Sequence, residues 1–239
     1  MDTIYFISDV HLGGHDKEIE EVIIRRLIAF LKSITGKADY LYIVGDLYDF
    51  WFEYYKSIPK VNLKVLAGLN EVIEAGTKVG YFTGNHDVWH DSYFEEELGL
   101  QIYHAPLEIY HNQLKLFIAH GDGLAKGEWK IRFIKRVLNN PLNIFLYKIL
   151  HPDLGIMLAS RFSDGRAAPK PNPFHEQYKQ LAREKLRQGF DAVVLGHTHM
   201  PVFEEYDKNK FYINLGDWVE HFTYLKLTNK KFEFLKWQD

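Results

Sequence analysis

Six short runs of apolar residues recur along the chain, and each is rich in β-branched and aromatic side chains. Most of them are apolar nearly throughout instead of alternating with polar positions, as strands covered on both faces should be. The runs are residues 3–8, 40–44, 78–83, 114–119, 191–195 and 211–215. The pattern therefore predicts six buried strands.

Helical patterns lie between some of these runs. Residues 16–34 place Ile23 and Leu27 on one face at helical spacing, and residues 63–75 and 176–188 are weaker amphipathic candidates. Strands that alternate with helices are typical of a layered arrangement of sheet and helix.

Each of the first five predicted strands ends in a short polar motif. The motifs read SDVH, GDLYD, GNHD, HGD and GHTH in chain order. Ligand-binding loops in such folds gather at the carboxyl ends of the strands. The five motifs are therefore expected to meet in one place.

The first and the last motif each contain a pair of residues two positions apart, DxH and HxH. In extended backbone, residues i and i+2 point to the same side, so each pair can converge on one ion. Three further side chains follow single strands and complete a set of seven, which makes two four-ligand shells if one carboxylate is shared. The predicted metal ligands are Asp9, His11, Asp46, Asn85, His120, His197 and His199.

This donor set predicts the metal and the reaction. The chain has no cysteine, and imidazole with carboxylate and amide oxygen suits divalent manganese, iron or zinc. We expect two manganese ions, with iron, zinc or magnesium as alternatives. Two such ions clamp the attacking and leaving oxygens of a phosphoryl displacement and acidify a bound water. A lone DxH, HxH or GD is an ordinary turn sequence, so the prediction of a phosphate ester or anhydride hydrolase rests on the ordered set.

The motifs resemble those of the calcineurin-like metallophosphoesterases, whose pattern is DxH, GDxxD, GNHD or GNHE, H and GHxH. The resemblance runs from Asp9 to His199, most of the chain. It implies an α+β fold, the four-layer α/β/β/α sandwich of metallo-dependent phosphatases. It assigns one ion to Asp9, His11, Asp46 and His199, and a second to Asp46, Asn85, His120 and His197.

The resemblance also assigns two catalytic residues. His86 would face the scissile phosphate, where it would protonate the leaving oxygen or stabilise negative charge. Asp87 would orient the ring of His86, a common pairing of carboxylate and imidazole.

A narrower resemblance is to the UDP-2,3-diacylglucosamine pyrophosphatases of lipid A synthesis. It rests on GDLYDFWFEY, AHGDG, SRFSDGR and LGHTHMP followed by INLGDW. It implies cleavage of the pyrophosphate of UDP-2,3-diacylglucosamine to 2,3-diacylglucosamine 1-phosphate and UMP. The best-known members have Arg after the GN dipeptide, where this chain has His86. The alternative is therefore another phosphoesterase, such as a nucleotidase, a cyclic-nucleotide phosphodiesterase or a protein phosphatase. A non-catalytic interaction module is the remote alternative.

Residues 127–166 interrupt the series of strands with three apolar helical stretches and define a predicted lid within a single domain spanning residues 1–239. Residues 125–170 carry nine lysines and arginines against three acids, whereas the whole chain has a net charge of -3. Interleaved basic and apolar residues are typical of a protein segment that binds at a membrane surface. The lid is expected to hold acyl chains, and its helices could instead pack on each other or on a second subunit.

Four further residues are candidates for substrate binding. Arg161 and Arg166 suit phosphate, because a guanidinium fork matches its geometry, and the alternative is a pair of surface cations. Trp51 could stack on the base or belong to the core, and Asp122 could bind a sugar hydroxyl or only form a turn.

The global charge of -3 and a pI near 6.5 give no indication of nucleic-acid binding. No apolar stretch reaches the roughly 18 residues that cross a bilayer. We therefore expect a cytoplasmic enzyme with a lipid-linked nucleotide substrate and peripheral contact with the inner membrane. The sequence gives no prediction of the oligomeric state.

Overall fold

A computed structural model describes residues 1–60, 63–162 and 173–238, the last three of the middle range by their backbone alone. Seven helices lie within these ranges. They are α1 (Lys17–Ile34), α2 (Leu63–Glu74), α3 (Tyr93–Leu98), α4 (Trp129–Leu138), α5 (Pro141–Ile149), α6 (Pro152–Phe162) and α7 (His175–Arg187). The three helices predicted from the hydrophobic pattern correspond to α1, α2 and α7.

One sheet has six strands in the order β11-β10-β1-β2-β3-β4. Strands β1 to β4 are parallel neighbours, while β10 and β11 add an antiparallel ribbon beside β1. The strands are β1 (Ile4–Ile7), β2 (Tyr40–Val44), β3 (Lys78–Phe82), β4 (Gln101–Tyr103), β10 (Thr223–Thr228) and β11 (Lys231–Lys236).

The second sheet has five strands in the order β5-β6-β7-β9-β8. Strands β6, β7 and β9 run parallel, and the two edge strands run antiparallel to their neighbours. The strands are β5 (Leu107–His111), β6 (Leu114–Ala119), β7 (Ala192–Leu195), β8 (Val202–Asp207) and β9 (Lys210–Asn214). All six predicted strands are therefore present, three in each sheet.

The two sheets pack face to face, and helices cover their outer faces. Side chains alternate along β6: Leu116 and Ile118 enter the core between the sheets, whereas Phe117 packs with Tyr178 and Ala182 of α7 on the other side. Helices α1 and α2 bury their apolar stripes against the outer face of the six-stranded sheet. The order of layers is α/β/β/α, which confirms the predicted fold class.

Helices α4, α5 and α6 form the part of the lid that lies within the described residues. Neither α4 nor α5 has a buried residue, although both are rich in large apolar side chains. The predicted helices are confirmed, whereas the assignment of residues 127–166 as a substrate lid stays a prediction.

Candidate metal centre

The carboxyl ends of five strands bring the predicted ligands together at one edge of the two sheets. Asp9 and His11 follow β1, and Asp46 follows β2, its neighbour in the six-stranded sheet. His120 follows β6, and His197 and His199 follow β7, its neighbour in the five-stranded sheet. The centre therefore lies where the two sheets meet, and each sheet supplies part of it.

Three groups of side chains are compact enough to hold a cation, one of them made by His11, Asp46 and His86, and the other two consist entirely of predicted ligands. Asp9, His11 and His199 form the first group, and Asp46, His120 and His197 form the second, with the ligand atoms of each group within 4.8 Å of one another. Oδ2 of Asp46 is 3.2 Å from Nε2 of His120 and 3.8 Å from Nε2 of His11. Asp46 therefore stands between the groups, as a bridging carboxylate must.

Several atoms in this cluster are buried and have no hydrogen-bond partner within the described residues. They include Oδ1 of Asn85, and also Oδ1 of Asp9 and Nε2 of His120, whose neighbours are other predicted ligands, His199 at 3.4 Å and Asp46 at 3.2 Å. Leaving such groups unpaired is costly in a protein interior. Two divalent cations would satisfy them, so the residues present fit the metals that the donor set predicts.

The other atoms of the same side chains are held by the protein. Nδ1 of His120 donates to the carbonyl oxygen of Val44 at 2.8 Å, which leaves its Nε2 as the ligand atom. Oδ2 of Asp9 accepts from the amide of His197 at 2.9 Å, and Oδ1 of Asp46 accepts from the amide of His86 at 3.0 Å. These outer contacts fix the ligands before any cation binds.

The electrostatics of the cluster favour positive charge. Burial opposes the charged form of His120, but Asp46 and Asp9 outweigh it and raise the pKa of His120 to about 10. Burial likewise opposes ionisation of Asp46, but His120 and His86 lower the pKa of this carboxyl well below its usual range. The same field attracts a divalent cation.

Five of the predicted ligands have a left-handed backbone, which non-glycine residues rarely adopt. Their φ angles are 55° for Asp9, 52° for His11, 51° for Asp46, 67° for His197 and 57° for His199. Unfavourable backbone conformations of this kind cluster at functional sites, where the surrounding structure holds them in place. The left-handed backbone at these strand ends is therefore consistent with a functional site.

Two glycines leave room for the side chains of predicted ligands at the centre. A Cβ atom on Gly45 would overlap the ring of His120, and one on Gly84 would overlap Oδ1 of Asp46. Gly45 also has a φ of 85°. A larger residue in place of either glycine, in the GD or the GN dipeptide, would therefore clash with the side chain of a predicted ligand.

Comparisons with known proteins show the family of the chain. The sequence model of the calcineurin-like phosphoesterases matches residues 3–201. The chain belongs to this family. A UDP-2,3-diacylglucosamine hydrolase of Porphyromonas gingivalis is 30% identical, with 92% of each chain covered. One of Azotobacter vinelandii is 28% identical, with 90% of each covered. The solved structure of Vacuolar Protein Sorting 29 from Cryptosporidium parvum is similar at 17% identity and a TM-score of 0.46, covering 98% of this chain and 95% of the other.

The orientation of His86 differs from the prediction. Asp87 does not face the ring in this phosphoesterase: its buried carboxylate accepts from the amide of Gly84 at 2.8 Å and from the hydroxyl of Tyr81. Nδ1 of His86 instead lies 3.3 Å from Oδ1 of Asp49. The prediction that Asp87 orients His86 is wrong, because tight folding of the GNHD turn directs the Asp87 side chain back into the protein. Asp49, the last residue of the GDLYD motif, holds the ring.

Trp51 is not available to a nucleotide base. Its side chain is fully buried, packs on Tyr48 and Phe94, and donates from Nε1 to Glu53 at 3.1 Å. The base-stacking prediction for Trp51 is therefore wrong, and the core alternative is confirmed. Aromatic side chains bury so much apolar area that a run of them tends to enter the core.

The other substrate-binding candidates have different outcomes. Asp122 follows His120 by two residues, and its largely covered side chain pairs with Lys135 of α4, Oδ2 to Nζ at 2.6 Å. Its role toward a sugar stays a prediction. The side chain of Arg161 and all of Arg166 lie outside the described residues.

The sequence analysis missed one buried carboxylate. Glu128 is 2% exposed, and its Oε1 lies 3.2 Å from Nε2 of His197. No motif includes Glu128, and a glutamate at the start of a helix is common, so the sequence offered no signal for it.

Proposed function

We propose that this phosphoesterase cleaves the pyrophosphate of UDP-2,3-diacylglucosamine to 2,3-diacylglucosamine 1-phosphate and UMP. The proposal is supported by relatives of that name that match about nine-tenths of the chain. The structural observation that carries it is a pair of neighbouring cavities, one beneath the lid helices and one at His120, which share Thr83, His104 and Lys135 in their walls. A lipid-linked nucleotide needs both an apolar compartment and a phosphate site.

The cavity has a volume of about 340 Å³ and lies between the loop after β3 and the lid helices. Its wall combines the apolar side chains of Phe52, Trp89 and Ile144 with polar and charged side chains such as Lys148. A second cavity of about 110 Å³ includes His120 in its wall and shares Lys135 with the first. The larger cavity would take part of an acyl chain, and each buried methylene contributes about 0.8 kcal/mol.

The seven predicted ligands would hold two divalent cations, for which we propose manganese. When bound, such cations polarise phosphoryl oxygens and lower the pKa of bound water. Asp46 lies between the two groups of ligand atoms and would bridge them. Nδ1 of His86 faces the main-chain and side-chain oxygens of Asp49 and donates to them. In the doubly protonated ring, Nε2 would carry a second proton and give it to the leaving oxygen, which leaves a neutral imidazole.

Lys135 is a basic residue of the lid that lies beside the proposed phosphate site. It contacts Asp122 and lines both cavities. A diphosphate passing from the centre toward the lid would meet its ammonium group. We infer that Lys135 exchanges its contact with Asp122 for one with the substrate phosphate.

The outer surface of the lid would contact a membrane. Large apolar side chains are exposed along α4, α5 and α6, and Lys130 and Arg136 lie among them. The exposed side chains are Trp129, Phe133, Ile134, Val137, Leu142, Phe145, Leu146, Ile149, Leu150, Leu154, Met157 and Leu158. Among the described residues, no helix is both long and apolar enough to cross a bilayer. The exposed apolar and basic side chains would place the lid on the cytoplasmic face of the inner membrane.

Incubation with Mn²⁺ and UDP-2,3-diacylglucosamine tests the proposal directly. UMP release should far exceed the turnover of soluble phosphoesters such as a nucleoside monophosphate, a cyclic nucleotide and a phosphopeptide. No UMP release, together with turnover of one of those esters, would reject the lipid substrate. That result would favour a general phosphoesterase, the class in which a histidine at position 86 is usual.

A further inference from the structure

The carboxylate of Glu128 lies at the point where the lid begins. Oε2 accepts from the hydroxyl of Tyr178 at 2.6 Å and from the amides of Gly123 at 2.9 Å and Ala125 at 3.3 Å. Oε1 faces Nε2 of His197 at 3.2 Å. A carboxylate with this many donors in a buried site is held in one orientation.

This contact selects one form of the His197 ring. A carboxylate only accepts, so the facing Nε2 of a neutral imidazole carries the proton and Nδ1 keeps the lone pair. His120 has the opposite arrangement, because its Nδ1 donates to Val44. The two histidines of the second ligand group are therefore fixed in different tautomers by different outer contacts.

Tyr178, whose hydroxyl donates to Glu128, is the third member of this group of contacts. It is a fully buried residue of α7, and its ring centroid lies 6.2 Å from that of His197. Its hydroxyl also lies 3.1 Å from the carbonyl oxygen of Gly121, next to His120. Glu128 and Tyr178 thus connect the first residue before α4, the helix α7 and the loop that carries His120.

We propose that Glu128 is a positioning residue that presents Nδ1 of His197 to the second cation, with Tyr178 holding Glu128 in place. The inference rests on the proposed role of His197 as a metal ligand. It extends that role, because it makes the affinity of one cation depend on a carboxylate outside the set of predicted ligands.

The experiment measures Mn²⁺ binding to the metal-free full chain by calorimetry. Changes in the outer contacts of a metal ligand weaken affinity by about 10- to 100-fold. Glu128→Gln should therefore weaken one of the two sites by at least about 10-fold and leave the other unchanged, and Tyr178→Phe should have a smaller effect on the same site. Glu53→Gln is the matched control, because Glu53 is also buried and accepts from Trp51 and from the amide of Tyr93.

The outcomes separate this inference from the proposed centre. If wild-type protein binds no Mn²⁺, the centre itself is rejected. If wild type binds two ions and folded Glu128→Gln binds both as tightly, or if Glu53→Gln has the same effect, the positioning role is rejected. Nitrogen NMR of the Zn²⁺-loaded protein gives a second readout: His197 should be protonated on Nε2 in wild type, and a ring protonated on Nδ1 would overturn the proposal.

Discussion

Oδ1 of Asp49 lies 3.3 Å from Nδ1 of His86, and the carbonyl oxygen of Asp49 lies 3.2 Å from the same nitrogen. Both oxygens accept, so they fix the proton on Nδ1 and orient the ring. Asp49 comes from the loop after β2, whereas His86 comes from the loop after β3. The pairing joins two motifs that are distant in sequence and adjacent in the sheet.

Replacement of His86 tests its role as a proton donor. His86→Ala should lower kcat by about 10²- to 10⁴-fold, the range for general acid–base catalysis, with two metal ions still bound. Asp49→Asn should lower kcat less, because the ring keeps its carbonyl contact. Steady-state kinetics and metal analysis provide the measurements, with His151→Ala on the exposed surface of the lid as control. An unchanged kcat in His86→Ala would refute the assignment.

Loss of the bridging carboxylate should be more severe. Asp46→Asn removes a charge that both groups of ligands share, so we expect loss of at least one ion and a fall in activity of more than about 100-fold, the upper end for outer contacts. Asp191→Asn is a suitable control, since Asp191 lies at the opposite end of β7 and accepts from the backbone amide of Lys115 in β6. Metal content by mass spectrometry and activity should fall together; full activity in Asp46→Asn would contradict the centre.

Asp87 should matter for stability. Its carboxylate accepts from donors that an amide group cannot fully replace, so Asp87→Asn should reduce the free energy of unfolding by about 2–4 kcal/mol. Asp39→Asn removes an exposed contact with the amide of Thr3 and should cost less than about 1 kcal/mol. Urea denaturation compares the two. Unchanged stability with a large loss of kcat would restore the catalytic role predicted for Asp87.

Metal removal should lower thermal stability. A cation present at about 100 times its dissociation constant stabilises the folded state by about 2.7 kcal/mol, which corresponds to about 5–10 °C in Tm for a chain of this size. Differential scanning calorimetry with Mn²⁺ and with EDTA measures the difference. In His120→Ala most of this difference in Tm should be lost. A difference equal to that of the wild type would mean that the stabilising cation binds elsewhere.

The exposed face of the lid should bind anionic vesicles. Burying one large apolar side chain contributes roughly 1.5–3 kcal/mol, so the combined change of Trp129, Phe133 and Phe145 to Ser should weaken partition by at least about 10-fold. Vesicle sedimentation is the assay, and Tyr110→Ser is the control because Tyr110 is 69% exposed on β5, outside the lid. If the triple variant partitions like wild type, the lid is not the membrane contact.

The central strands and the metal ligands could be predicted because both leave short-range signals. Strand β7 is buried along its whole length and reads as a continuous apolar run, and each ligand follows such a run directly. Strands β8 and β10 escaped because buried and less buried positions alternate along them. Their polar positions hide the pattern that a fully covered strand displays.

The contacts between motifs could not be predicted. Glu128 and Asp49 are ordinary acids in the sequence, and only the fold brings them to His197 and His86. Trp51 was assigned a functional role that it does not have. Its position beside a motif suggested that it stacks on the nucleotide base, but its side chain is buried in the core. Local pattern identifies ligands, whereas their supporting contacts depend on tertiary packing.

The placement of the ligands on both sheets has a consequence for biosynthesis. The first ligand is residue 9 and the last is residue 199, and β1 gains its second neighbour only when β10 has been made. A nascent chain therefore emerges from the ribosome with an incomplete set of donors. Fragments that end before residue 197 would lack His197 and His199, one predicted ligand of each group, and with them the stabilisation that a bound cation would give.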